Sequence, residues 1–203
     1  MPLAARRFSP STARNRDPIL EVLRRYLPAQ GLVLELASGT GEHAVHFARH
    51  FSHDLIFQPS EPDAASRASI DSWTHAEGLS NVRPALDIDV LDKKWPVTSA
   101  SAVLCINMIH IAPWQAAIGL VEGASRILRA NDPLILYGPF RRHGAHTAPS
   151  NEAFDADLQA RDARWGVRNL EDVAEIAAAH GFSAPVIEAM PANNLMVIFS
   201  RDA

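Results

Sequence analysis

A single cysteine, Cys105, stands in 203 residues, so no disulfide can close within the chain and no oxidising compartment is implied. Equally absent is any apolar run near the roughly 18 residues that span a bilayer. The opening Met1-Pro-Leu-Ala-Ala-Arg-Arg7 has no apolar centre of the kind that marks a secretion signal. Together these absences lead us to expect a cytoplasmic protein with no membrane partner. Charge of one sign is also lacking: the net formal charge is −4, which gives no electrostatic reason for an obligate nucleic-acid partner. There is no internal repeat, no low-complexity tract and no signal for a particular oligomeric state. What is present, 47% hydrophobic and 21% charged residues, is the composition of one globular domain with a sizeable core, and residues 1–203 are expected to form it.

Along the chain, residues 1–16 are polar and basic and read as an N-terminal arm. Asp17-Pro18 suits a helix start, because Asp can cap and Pro fits the first turn. The short apolar runs 32–37, 55–58, 82–88, 102–107 and 133–137 read as strands, and they alternate with helical patterns over 64–77, 114–128 and 170–179. That alternation predicts an α/β fold with a parallel sheet. The last two strands, 186–190 and 195–200, are separated by four residues. A parallel crossover needs a dozen or more, so this pair must be antiparallel. Residues 138–166 read as a long, lid-like loop rich in Gly, Arg, His and Pro.

In open α/β sheets, ligands bind beyond the carboxyl ends of the strands. The first strand ends in Glu35-Leu-Ala-Ser-Gly-Thr-Gly41. Its small residues Ala37, Ser38, Gly39 and Gly41 would let a ligand approach the backbone, and the following helix would present free N–H groups. A dinucleotide and S-adenosylmethionine compete for such a bend, since Gly39-Thr-Gly41-Glu-His-Ala44 can pass for G-x-G-x-x-A, a weak pattern alone. Glu35 inside an apolar strand and the terminal hairpin favour S-adenosylmethionine. Glu61, 20 residues past Gly41, has the spacing of a carboxylate that accepts ribose hydroxyls, with Asp63 as its neighbouring alternative. Asp87 stands where an adenine amino group would be met, and Ile88 where a ring would pack. Taken singly, Glu61 also reads as a solvated loop acid and Asp87 as a cap or turn residue.

The chain resembles the class I S-adenosylmethionine-dependent methyltransferases. More closely, it is similar to a family of small methyltransferase-like proteins that includes human methyltransferase-like protein twenty-six. The matching stretches are Arg14-Asn-Arg-Asp-Pro-Ile-Leu20, Leu34 to Ala44, Gln58-Pro-Ser60, Cys105-Ile-Asn-Met-Ile-His110, Tyr137-Gly-Pro-Phe140, Trp165-Gly166 and Met190-Pro-Ala-Asn-Asn194. The resemblance implies a Rossmann-like, seven-stranded mixed sheet in the order 3-2-1-4-5-7-6, last strand antiparallel, with helices on both faces. It also implies cofactor contacts at Glu35 to Gly41, Glu61, Asp87, Ile88 and Asn107. The turn before the fifth strand departs from the superfamily's Pro-Gly-Gly, reading Ala130-Asn-Asp-Pro133.

Methyl transfer requires a nucleophile held about 3 Å from the sulfonium methyl, and many acceptors require a general base. His110, with an ordinary pKa near 6.5, is a candidate base, and Tyr137 a candidate for the same pocket; their bland readings are a structural histidine and a core tyrosine. Arg14 and Asn15 are candidates for the methionine carboxylate. Asn193 and Asn194, on the turn between the last two strands, are candidate substrate contacts against a plain turn. So are Arg141, Arg142, His143, His146, Asn151, Phe154 and Asp155, which could receive an anionic substrate. His46 and His50, at i, i+4 with His43 beside them, have metal-pair spacing, but no nearby carboxylate or cysteine cluster completes a site. They read as a polar helix surface, and no metal is expected. Cys105 reads as inert core. The expected activity is methyl transfer to a small-molecule acceptor; the alternative is a non-catalytic S-adenosylmethionine-binding module that acts through a protein partner.

Overall fold

The computed structural model describes residues 6–203. Six strands form the main sheet: β1 (Gly31–Leu36), β2 (Leu55–Pro59), β3 (Ala102–Ile106), β4 (Pro133–Gly138), β7 (Val186–Met190) and β8 (Asn194–Ser200), in the order β2-β1-β3-β4-β8-β7. β1, β2, β3 and β4 are mutually parallel, while β8 pairs antiparallel with both β4 and β7. The antiparallel hairpin required by the four-residue connection is therefore present, with Met190 opposite Asn194. β5 (Arg141–Arg142) and β6 (Ala145–His146) make a separate small hairpin.

Both faces of the sheet are covered, so the parallel strands are apolar at nearly every position, with Glu35 and Gln58 as buried exceptions. Alternate residues divide between two cores. Leu34, Leu36, Val103, Cys105, Leu134, Leu136, Val197 and Phe199 face α4 (Trp114–Ile127) and α6 (Leu170–Ala179). Val33, Leu104, Ile135, Tyr137, Met196 and Ile198 face α1 (Pro10–Tyr26) and α2 (Glu42–Ala48). α3 (Ala64–Glu77) begins where the Asp63 side chain accepts from Ser66 N at 2.8 Å, and it ends at the left-handed Gly78. Asp63, the alternative to Glu61, is thus a helix cap. Cys105 is 2% exposed, and burial pushes its thiol up to about 12.

Several expectations are corrected. The strand expected over 82–88 is not a ladder; it makes two isolated bridges, Phe57 of β2 with Val82 and Ser60, just past β2, with Leu86. Three steps from Phe57 to Ser60 therefore face four on this segment. Pro59 has no N–H to give. Ala85 N turns to Asp71 Oδ1 at 2.8 Å, and the Pro84 carbonyl accepts from the Gln58 side chain at 2.8 Å. The sheet thus has the expected order without its first strand. The helix expected from Asp17 starts at Pro10, and Pro18 lies inside it. From Pro10 onward the expected arm is therefore α1; residues 1–5 of it lie outside the described residues. The expected loop 138–166 holds the β5–β6 hairpin and α5 (Pro149–Arg161). The expected polar surface of α2 is covered by α1: His43 and His46 are 9% and 8% exposed, with Nε2 atoms 2.9 Å from Asn15 Oδ1 and Asp17 Oδ1.

Candidate functional site

Most of the candidate groups stand at the carboxyl edge of the parallel strands, in two regions. The first is the bend after β1. Ser60 Oγ and Ser38 Oγ both donate to the Glu35 carbonyl, at 2.9 and 3.2 Å, and Ser38 N donates to the Ser60 carbonyl at 2.9 Å. The bend is thereby pinned to the end of β2. Ala37, Gly39 and Gly41 all have positive φ, at 54°, 56° and 91°. The two glycines differ in what surrounds them. A Cβ on Gly39 would meet nothing within 4 Å, whereas one on Gly41 would sit 2.6 Å from Ile70 Cα. Gly39 opens onto free space; Gly41 is required by the approach of α3.

The acids of this region stand around the opening. Glu35 is 2% exposed, its Oε2 has no partner, and burial pushes its carboxyl up to about 8 against a hydrogen bond from Ser38. An isolated buried carboxylate is costly, so the group retains its proton. Glu61 Oε2 accepts from Gly39 N at 3.0 Å, and burial also raises this carboxyl. Asp87 is exposed and pairs with Arg67 at 3.0 Å; the same arginine donates to the Glu61 and Pro62 carbonyls at 2.7 Å. Ile88 departs from its expected place: it is 2% exposed and packed in the core on the α4 side, among Leu36 and Val90.

The second region is a cleft of about 650 Å³. α1 supplies Ser11, Arg14, Asn15 and Pro18; Asn107, Ile111, Tyr137 and Pro139 follow β3 and β4. α5 supplies Ser150, Asn151 and Phe154, and the turn after β7 supplies Pro191, Ala192 and Asn194. Asn107 takes φ 62° at the strand end, and its N donates to the Tyr137 carbonyl at 2.8 Å. Asn151 Nδ2 donates to Thr147 Oγ1 and to the Asn193 carbonyl, both at 2.9 Å, and so fastens α5 to that turn. Asn193 extends the tie through Ser150 Oγ at 3.3 Å. Tyr137 is 3% exposed; burial raises its phenol, opposed by a hydrogen bond with Asn15.

Of the sequence-predicted residues, the structure brings Arg14, Asn15, Asn107, Tyr137, Asn151, Phe154 and Asn194 together in this cleft. It does not bring Arg141 or His143. Arg141 is paired with the buried Asp155, which also accepts from Val167 N at 2.6 Å and faces His146 at 3.3 Å. His143 sits on the β5–β6 turn, 80% exposed, against Glu171. His110 is corrected more sharply. It is wholly buried, edge-on to Phe140, with Nδ1 accepting from Arg168 N at 3.4 Å. Burial, and then the charge of Arg168, bring its pKa down to about 3, so it is a neutral imidazole and a weak proton acceptor at neutral pH. Ser11 and Ile111 were missed; Ile111, 45% exposed, follows the short turn Met108–His110, and nothing in the sequence distinguishes it from a core residue.

An α/β sheet of this order, closed by an antiparallel hairpin and bearing a glycine bend after β1, is the fold of Rossmann-like methyltransferases. Similar solved structures include an O-methyltransferase family protein from Burkholderia thailandensis, at TM-score 0.80 and 16% identity over 95% of this chain and 57% of that one. Human N-acetylserotonin methyltransferase in complex with SAM matches at TM-score 0.76 and 10% identity, over 95% and 53%. CalO1, a methyltransferase in calicheamicin biosynthesis determined in an SAH-bound form, matches at TM-score 0.74 and 14% identity, over 94% and 54%. The chain spans little more than half the length of these proteins. It belongs to the family described as "Protein of unknown function (DUF938)", which it matches over residues 6–201. Among the described residues no helix is long and apolar enough to cross a membrane.

Proposed function

We propose that this chain binds S-adenosylmethionine at the bend after β1 and transfers its methyl group to a small-molecule acceptor in the adjoining cleft. The observation that carries the reading is Glu35: a nearly wholly buried acid with an unpartnered oxygen, beside a glycine with open space over its Cα. An amino group is the partner that such an acid lacks. Glu61 and Asp87 retain lone pairs for ribose hydroxyls and an adenine amino group, and Asn107 stands between bend and cleft. The residues present therefore fit the cofactor, with Glu35, Ala37, Ser38, Gly39, Glu61, Asp87 and Asn107 holding it; Gly41 and Ile88 support the bend through packing. When bound, the cofactor supplies an electrophilic methyl on sulfonium.

The chain's own residues position and enclose. Tyr137, kept protonated, offers a hydrogen bond to the acceptor, and Asn151 and Asn194 line its far side. His110 holds Arg168 N and is a positioning residue for the segment after α5. We read 138–166 as a cover over the acceptor and 1–203 as one domain. The motifs Asn107–His110 and Met190–Asn194 support kinship with the methyltransferase-like family named above. Titration calorimetry tests the reading: S-adenosylmethionine is expected to bind and NAD(H) is not. Gly39→Arg is expected to abolish that binding without unfolding the chain. Binding of NAD(H) in place of the sulfonium cofactor would reject it.

A further inference from the structure

Resting on that reading, we infer that the acceptor is a monocarboxylic acid with an apolar body, methylated on a carboxylate oxygen to give a methyl ester. The inventory of the cleft is the reason. Arg14 is the only formally charged side chain among its lining residues, and there is no carboxylate, histidine, lysine or cysteine among them. The remaining polar groups are carboxamides, hydroxyls and the Tyr137 phenol. The apolar part is unusually open: Ile111 and Phe154 are 45% and 39% exposed, among the few large hydrophobics the described residues leave in solvent, and both line this cleft.

The chemistry then discriminates among acceptors. A phenol, with a pKa of about 10, or an alcohol must lose a proton to become a nucleophile, and a general base must take it. The titratable groups near the cleft do not serve. Tyr137 on β4 is kept protonated. His110, after β3, and His43, on α2 behind Asn15, are both depressed to about 3 by burial. A carboxylic acid, with a pKa of about 4, arrives already ionised. A carboxylate oxygen forms the O–CH3 bond as the S–CH3 bond breaks, and the electron pair of that bond stays on sulfur. Sulfonium and carboxylate become neutral thioether and neutral ester, and no proton has to leave. A guanidinium suits such a substrate, since it can take two oxygens at once and its planar fork fixes their orientation. On this account Arg14 serves the acceptor, not the methionine carboxylate.

The test separates this inference from the parent reading. Binding of S-adenosylmethionine to the wild-type chain is measured first; its failure sinks the parent reading. With the chain saturated by S-adenosylhomocysteine, phenylacetate, phenylacetamide and 4-ethylphenol are then titrated by NMR. Phenylacetate is expected to bind at least tenfold tighter than the two neutral probes. Arg14→Gln is expected to remove that preference while leaving cofactor affinity within twofold. With methyl-labelled cofactor kept saturating at every pH, phenylacetate and octanoate should yield product that mild alkali releases as labelled methanol, at a rate flat from pH 6 to 9. Equal binding of acid and amide, binding of neither, an alkali-stable product from 4-ethylphenol, or loss of cofactor affinity in Arg14→Gln would each overturn the inference.

Discussion

The two halves of the sheet's carboxyl edge are chemically opposite. Beyond β1 and β2 stand acids, Glu35, Glu61 and Asp87, two of them raised by burial. The cleft beyond β3 and β4 is lined by carboxamides, hydroxyls, a phenol and one cation, Arg14. The carboxyl edge of the sheet therefore offers acceptor oxygens beyond β1 and β2 and donors beyond β3 and β4. A cofactor bearing an ammonium group, ribose hydroxyls and an adenine amino group matches the first half, and an anionic partner matches the second. The contrast also divides the loop glycines. Gly39 faces open space, whereas Gly41 faces Ile70 of α3.

The largest expected effect comes from that last division. Gly41→Ala would set a Cβ 2.6 Å from Ile70 Cα at φ 91°. Overpacking and a left-handed non-glycine residue together should cost about 3 kcal/mol, read as a fall in the urea midpoint. Gly39→Ala meets no atom within 4 Å and should cost about 1 kcal/mol, from its positive φ alone, while weakening cofactor binding. Equal loss of stability in the two variants would erase the distinction between packing and ligand glycines.

The glycine bend was legible because strand, small residues and helix are local. Its two different reasons were not, because Ile70 comes from another helix. The strand over 82–88 misled because its apolar pattern says nothing of Pro59 lacking a donor or of Gln58 and Asp71 taking its backbone groups. α5 was hidden by the composition around it, although Pro149 at its first turn and the i, i+4 pair Phe154 and Leu158 were signals for it. Chain order puts His110 just after β3, but its titration depends on burial and on Arg168, which lies far along the chain. Arg14 was named from the sequence, yet its neighbours in the cleft come from four separate segments.

The pH dependence of stability should divide along the same line. Glu35 is raised to about 8 from an ordinary 4.5, so the folded state holds a proton that the unfolded state has lost over that range. Its stabilisation is complete below about 4.5 and disappears as pH rises through about 8. His43 and His110 are lowered to about 3 from 6.5, so their stabilisation is complete above about 6.5 and disappears as pH falls toward 3. Stability should therefore peak near pH 6.5, each group contributing a slope of about 1.4 kcal/mol per pH unit across its window. Urea titrations should show Glu35→Gln flattening the alkaline side and His110→Gln the acid side. Cofactor binding at pH 7 should also release close to one proton, as Glu35 ionises against the incoming ammonium. Calorimetric enthalpies that do not vary with the ionisation enthalpy of the buffer would contradict a protonated Glu35.

The smallest effect on folding belongs to Asp87. Its pair with Arg67 joins a side chain 66% exposed to one 21% exposed, and exposed pairs contribute roughly 0–1 kcal/mol. Arg67 would keep its bonds to the Glu61 and Pro62 carbonyls without it. Asp87→Asn should therefore shift the urea midpoint little. It should nonetheless weaken cofactor binding about tenfold, roughly 1.4 kcal/mol, because a carboxylate accepts from an adenine amino group more strongly than an amide does. An S-adenosylmethionine affinity unchanged in Asp87→Asn would assign this acid to the turn alone. The acid half of the edge would then consist of Glu35 and Glu61.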